Sequence, residues 1–209
     1  MSTDPAADAV PQNGVSEAVD QPSEQRGDPR LLALTLGVAL LVWVIDQSTK
    51  WLATIRLEGK APVQVIGDWL MLDFLRNPGA AFSVGTRSTF VFTLIAIIVA
   101  VVILRVARRL RSVWWAVALG GLLGGATGNL TDRLFRDPGF PGGHVVDFIY
   151  VKFFAVFNCA DMAITGSAIL MVGLALFGVE LSGKHRVVGT ADNQQGAASH
   201  ATSDSPPTP

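Results

Sequence analysis

Cysteine is nearly absent. The 209 residues hold one, Cys159, so no intrachain disulfide can form and the redox compartment is not revealed. Histidine is scarce as well: His144, His185 and His200 lie far apart, and neither HExxH nor CxxC occurs. That removes the common zinc layouts, and we expect neither a metal nor a cofactor. Basic runs are missing outside one short loop and the net charge is −1, which argues against a nucleic-acid partner. The first residues are acidic and no early apolar core follows them, so a cleavable signal peptide is not expected.

What the chain has in quantity is apolar length. Half of its residues are hydrophobic, the mean hydropathy is +0.42, and the apolar residues gather into four separate stretches. That arrangement predicts an α-helical polytopic membrane protein with four transmembrane helices. The first stretch runs from Leu31 to Ile45, is interrupted by Asp46-Gln47-Ser48-Thr49-Lys50, and resumes at Trp51-Leu52; it serves as an uncleaved anchor. Phe90–Leu104 with its flanks forms the second, Val113 opens the third, and the fourth ends near Val179. Each approaches the ~20 residues needed to cross ~30 Å of hydrocarbon. Residues 1–30 and 183–209 are too polar to pack and read as disordered cytoplasmic tails, leaving 31–182 as the membrane domain. Total Lys and Arg divide evenly between the two faces, so density decides orientation. Arg105, Arg108, Arg109 and Arg111 form the tightest positive cluster, which places that loop and both termini in the cytoplasm.

Residues 56–87 change character. Val63 and Val65, then Leu70, Leu72 and Phe74, alternate with polar neighbours, which predicts two or three short strands of a small extracytoplasmic sheet. Gly59, Gly67 and Asn77-Pro78-Gly79 supply turns, and Trp69 and Phe74 suit a bilayer interface. The connection between the third and fourth spans, rich in Gly and Pro at 137–143, reads as a loop or a short surface helix.

The third span carries the densest signal. Gly120, Gly124 and Gly128 recur every four residues, as do Gly121 and Gly125, a pattern that lets neighbouring helices approach closely. Asn129 and Asp132 follow on one side of the helix. An Asp in hydrocarbon costs roughly 2.5–3.5 kcal/mol against about −0.3 to −0.6 for a Leu, so Asp132 faces either a polar interior or the headgroup region. Asn158-x-x-Asp161 echoes Asn129-x-x-Asp132 where the fourth span begins. Four-helix packing brings the two carboxylates to one level, where sharing a proton suits them to general acid–base hydrolysis. A polar cluster that merely sets helix register is the plain alternative. Likewise Asp46 and Lys50, four apart, form either a site element or an interfacial ion pair, and Asn77 can simply cap a turn.

These residues also resemble a known family, the bacterial lipoprotein signal peptidases (signal peptidase II). The resemblance rests on Asp46-Gln47-x-Thr49-Lys50, Asn77-x-Gly79-x-Ala81-Phe82, Gly124-Gly125-Ala126-x-Gly128-Asn129-Leu130-x-Asp132-Arg133, Val145-Val146-Asp147-Phe148 and Phe157-Asn158-x-Ala160-Asp161. It covers roughly residues 31–180. It implies an aspartic endopeptidase of the bacterial cell membrane that removes signal peptides from prolipoproteins before a diacylglyceryl-modified cysteine. The implied catalytic pair is Asp132 and Asp161, with Asp46, Lys50, Asn77, Gly79, Asn129, Arg133, Asp147 and Asn158 binding substrate or supporting the site. The implied partners are prolipoproteins and membrane lipids, the expected state is a monomer, and the site lies near the outer surface. A small proton-coupled transporter is the rival, and it predicts charges spread through the bilayer depth. A Ser48–Lys50 peptidase is disfavoured, because residues two apart on a helix do not face each other.

Overall fold

The computed structural model describes residues 27–79, 85–140 and 142–181, with only the backbone for 85–89. The two tails before 27 and after 181, Ala81, Phe82, and Lys184 and Arg186 lie outside the described residues. Four helices and four strands follow in the order α1 Pro29–Leu57, β1 Val63–Ile66, β2 Leu70–Asn77, α2 Gly85–Ala107, α3 Val113–Phe135, β3 Val145–Val151, β4 Val156–Phe157 and α4 Cys159–Leu176. Among the described residues α1, Phe90–Ala107 of α2 and α4 are long and apolar enough to cross a bilayer.

α1 begins where Asp28 accepts a hydrogen bond from the Arg30 N–H at 2.8 Å and Pro29 stands in the first turn, a position that needs no donor. Its burial is inside-out. Thr35, Asp46 and Lys50 are buried, while Leu40, Leu41, Val44 and Ile45 face outward. That pattern fits a helix whose outer solvent is hydrocarbon and whose polar groups turn toward protein.

α3 is the axis of the bundle and packs against α1, α2 and α4. Its two glycine stripes serve different neighbours. A methyl added at Gly120 or Gly124 would meet the Thr35 or Ala39 carbonyl oxygen of α1 at 2.7 and 2.6 Å. One at Gly125 would meet the Ala160 carbonyl of α4 at 2.6 Å, and one at Gly121 would strike Ser167 Oγ. Glycine is therefore what lets three backbones converge. The same glycines, with Asn129, Asp132 and Arg133, make α3 polar enough to fall outside the three apolar helices, although it has 23 residues.

The sheet is antiparallel throughout, in the order β1-β2-β3-β4. β1 and β2 stand where alternation predicts them. The expected loop or surface helix between α3 and α4 is instead the other half of this sheet. Val145-Val146-Asp147-Phe148-Ile149-Tyr150-Val151 is β-branched and aromatic, and it pairs with β2 from Asn77↔Val145 to Leu70↔Val151. The register shifts between Leu72 and Leu75, so Asp73 and Phe74 stand opposite Phe148 alone. Such a bulge re-aims neighbouring side chains, and Asp147 is one of them. Val146 and Phe148 pack on Ala53 and Leu57 of α1, so the sheet rests on the outer end of that helix.

Candidate active site

All ten residues that the sequence singles out fall into one hydrogen-bonded network. Lys50 is its hub and is fully buried. Its ammonium lies 2.8 Å from Asp46 Oδ2 and 3.0 Å from Asp132 Oδ2, and donates to Asn129 Oδ1 at 2.8 Å. All three of its protons thus have acceptors. Asp46 also takes the Ala160 N–H of α4 at 2.9 Å, which ties α1 to the start of that helix. Asn129 donates to Asp161 Oδ1 at 2.8 Å and receives the Asn158 amide at 3.2 Å.

Asn158 joins the two halves. It is the N-cap of α4, and its side chain accepts the Asp161 N–H while Asp161 Oδ2 accepts the Asn158 N–H, both at 3.1 Å. Its own amide donates to Asp147 Oδ1 at 2.6 Å. Asp147 Oδ2 in turn receives the Asn77 amide at 2.8 Å, and Asn77 Oδ1 accepts the Gly79 N–H at 2.8 Å. Gly79 needs its φ of +87° to present that N–H, a conformation costly for other residues. Arg133 reaches the Asn129 carbonyl at 3.4 Å and lies 5.6 Å from the Phe92 ring centroid, and its buried Nε–H has no hydrogen-bond partner among the described residues.

The four aspartates differ in how fully they are occupied, counting among the described residues. A carboxylate offers about four lone-pair sites. Asp132 is approached by four donors: Arg136 at 2.6 Å and Gln47 at 3.4 Å on Oδ1, Lys50 at 3.0 Å and the Val146 N–H at 3.1 Å on Oδ2. Asp147 and Asp161 each hold two. Asp147 is buried, and burial pushes its carboxyl up to about 6, with the charge of Asp161 acting the same way. Hydrogen bonds from Asn77 and Asn158 oppose the rise.

Two participants escaped the sequence reading. Arg136 stands four residues after Asp132, a spacing that could have signalled an ion pair on one helix face. Gln47 lies within a quoted motif, yet its bonds to Asp46 at 3.1 Å and to the Gly128 carbonyl at 3.1 Å depend on how α1 meets α3. Cys159 is only half-buried and accepts a hydrogen bond from Thr49 at 3.4 Å.

Apolar helices sized for a bilayer around four linked aspartates define a membrane protein with carboxylate chemistry at its centre. Comparison with known proteins narrows the class. The family model for signal peptidase (SPase) II matches residues 38–177. Lipoprotein signal peptidases of Streptomyces griseus and Streptomyces coelicolor are 48% and 49% identical, covering 88% and 84% of this chain and 93% and 86% of theirs. That of Mycolicibacterium smegmatis is 44% identical over 95% of this chain and 84% of its own. Two solved structures described as bacterial membrane enzymes superpose with TM-scores of 0.59 and 0.61 at 28% identity. They cover 69% of this chain and 88% and 93% of theirs. The chain belongs to the signal peptidase II family.

Proposed function

We propose that this membrane peptidase cuts prolipoproteins before a diacylglyceryl-modified cysteine, using Asp147 and Asp161 as its acid–base pair. The expected pair of Asp132 and Asp161 gives way at one member. The observation that carries this reading is lone-pair occupancy: Asp132 is surrounded by two cations and two further N–H donors, whereas Asp147 and Asp161 each keep capacity for a water or a substrate oxygen. Asn158 holds both of these carboxyls, one through its amide and one through its backbone N–H. Asp132, with Asp46 and Lys50, is then the brace that fixes α1 to α3 beneath them.

The chemistry follows from the two environments. Asp147, whose carboxyl is pushed up to about 6, donates its proton to the scissile carbonyl oxygen. Asp161, held by two N–H donors at the start of α4, takes a proton from the attacking water. Collapse of the tetrahedral intermediate reverses the two roles and returns a proton to the leaving amine. The unpartnered Arg133 Nε–H is a donor available to a substrate carbonyl.

We further infer four spans with both termini cytoplasmic. The Asp28 N–H donates to the Leu110 carbonyl at 3.0 Å and the Arg111 N–H to the Leu181 carbonyl at 2.9 Å. These bonds gather the start of α1, the α2–α3 connection and the segment after α4 on one face, as four antiparallel spans require. The arginines of that connection mark the face as cytoplasmic. The ten network residues come from a single chain, which supports a monomer. A transporter would spread charge through the depth; instead α1 and α3 bury Leu31, Ala39, Ala116 and Leu119 toward that face.

The test is cleavage by purified protein of two peptides differing only in the diacylglyceryl group. The lipidated peptide should yield a product with the modified cysteine at its new N-terminus, and the bare peptide should not be cut. Equal cleavage of both would contradict lipid-directed recognition.

A further inference from the structure

The hairpin turn between β3 and β4 lies outside the polar network, and the peptidase chemistry makes no use of it. The turn is closed by the Val151 N–H on the Ala155 carbonyl and the Phe154 N–H on the Val151 carbonyl, both at 3.1 Å. Phe153 occupies it at φ +65°, a left-handed conformation strained for a bulky residue. That strain yields no internal packing: Phe153 is 95% exposed and Phe154 80%. Strain that projects two rings away from the protein points to something outside that receives them.

The surroundings indicate what that is. The Lys152 N–H donates to the Trp69 carbonyl at 2.9 Å, tying this turn to the one between β1 and β2, where Ile66 and Trp69 are also exposed. Lys152 Nζ lies 5.5 Å from the Phe153 ring centroid. One end of the sheet therefore presents Ile66, Trp69, Phe153 and Phe154 with a single lysine among them. Aromatics beside a long cationic side chain that can reach back to headgroups make up the composition of a bilayer interface. The sheet is continuous with the bilayer region, because Val146 and Phe148 pack on the last turns of the membrane-spanning α1. The other end of the sheet, at Asn77↔Val145, joins the aspartate network.

We propose that the Lys152–Phe154 tip is a membrane anchor that seats in the headgroup–acyl boundary on the side of the active site. Its consequence, which rests on the assignment of Asp147 and Asp161, is to fix the depth of the acid–base pair. The anchor hangs between them: β3 carries Asp147 into the turn, and β4 leads out of it to Asn158 and Asp161. A lipidated cysteine has its depth set by its acyl chains, so an enzyme whose carboxyls are held at a fixed depth meets the scissile bond without a search.

The experiment uses the full chain with Phe153→Cys in a Cys159→Ala background, labelled with an environment-sensitive fluorophore. It is reconstituted into phosphatidylcholine–phosphatidylglycerol vesicles containing lipids with a nitroxide near the top of the acyl chain. The nitroxide lipids should quench the label strongly and aqueous iodide weakly. In parallel, Phe153→Ser/Phe154→Ser should raise KM for vesicle-borne substrate about fivefold or more relative to its KM in micelles, with an unchanged melting temperature. Quenching by iodide but not by nitroxide lipid would overturn the anchor and leave the tip as a docking point for a protein. The depth measurement needs no turnover, so it stands or falls separately from the peptidase assignment.

Discussion

Replacing Asp132 and Asp147 separately by Asn should split stability from catalysis in opposite directions. Asp132 shares the buried Lys50 with Asp46 and also holds Arg136. An amide there keeps one acceptor oxygen and turns its NH2 toward one of the two cations. Removing one partner of a buried charge cluster costs about 3–5 kcal/mol. For a domain of this size that lowers the melting temperature on the order of 10 °C. At Asp147 the ledger differs. At pH 7 the native state carries an ionised carboxyl whose pKa is about 6 against an ordinary 3.8, a penalty of about 3 kcal/mol that Asn removes. Against that gain, Asn cannot accept from both Asn77 and Asn158, and the lost bond costs about 1–3 kcal/mol. The two nearly cancel, so Asp147→Asn should melt close to the wild type. Its cleavage should nonetheless fall by about 10²–10⁴-fold, the usual worth of a general acid. Asp132→Asn, assayed below its melting transition, should retain far more activity. The assay is thermal unfolding in detergent alongside cleavage of a lipidated peptide. An Asp132→Asn protein that melts like the wild type but does not cut, with an active Asp147→Asn, would refute the reasoning.

Three further outcomes follow from the same geometry. Native Asp147 keeps its proton up to about pH 6, whereas the unfolded carboxyl loses it near 3.8. The native state binds more protons in that window, so stability should fall as pH rises through it, and Asp147→Asn should flatten that slope in melts recorded across the range. Lys50 and Asp161 also face this group and do not change the sign. Cys159→Ala should keep cleavage near the wild-type rate, since its thiol only accepts from Thr49; complete loss in well-folded protein would bring a cysteine nucleophile back into question. Gly124→Ala should destabilise by about 1–3 kcal/mol because its methyl meets the Ala39 carbonyl, whereas Gly173→Ala, with open space around it, should not, as paired melting curves would show.

The sequence discloses much of the frame because membrane helices are written in long runs. The apolar stretches foretell the helices, and the glycine spacing foretells that α3 is closely packed, though not that its two stripes serve α1 and α4 separately. β1 and β2 were legible from alternation. β3 was not, because Val145–Val151 lacks clean alternation and follows a segment rich in Gly and Pro. At the site, motif spacing gathers the right ten residues but does not rank them. Asp132 and Asp161 look alike, each three residues after an asparagine. What separates Asp132 from Asp147 is how many donors surround each oxygen. Those donors come from Lys50 on α1, the Val146 N–H on β3 and Asn77 on β2, none of them near in sequence to the group they hold.

The most direct test of the acid–base pair is a double-mutant cycle on kcat for Asp147→Asn and Asp161→Asn in protein shown to be folded and to bind substrate. If the two carboxyls act as one unit, each single change removes most of the rate and the double change is little worse than either alone. Losses that multiply, or a single variant that still cuts at near the wild-type rate, would contradict it.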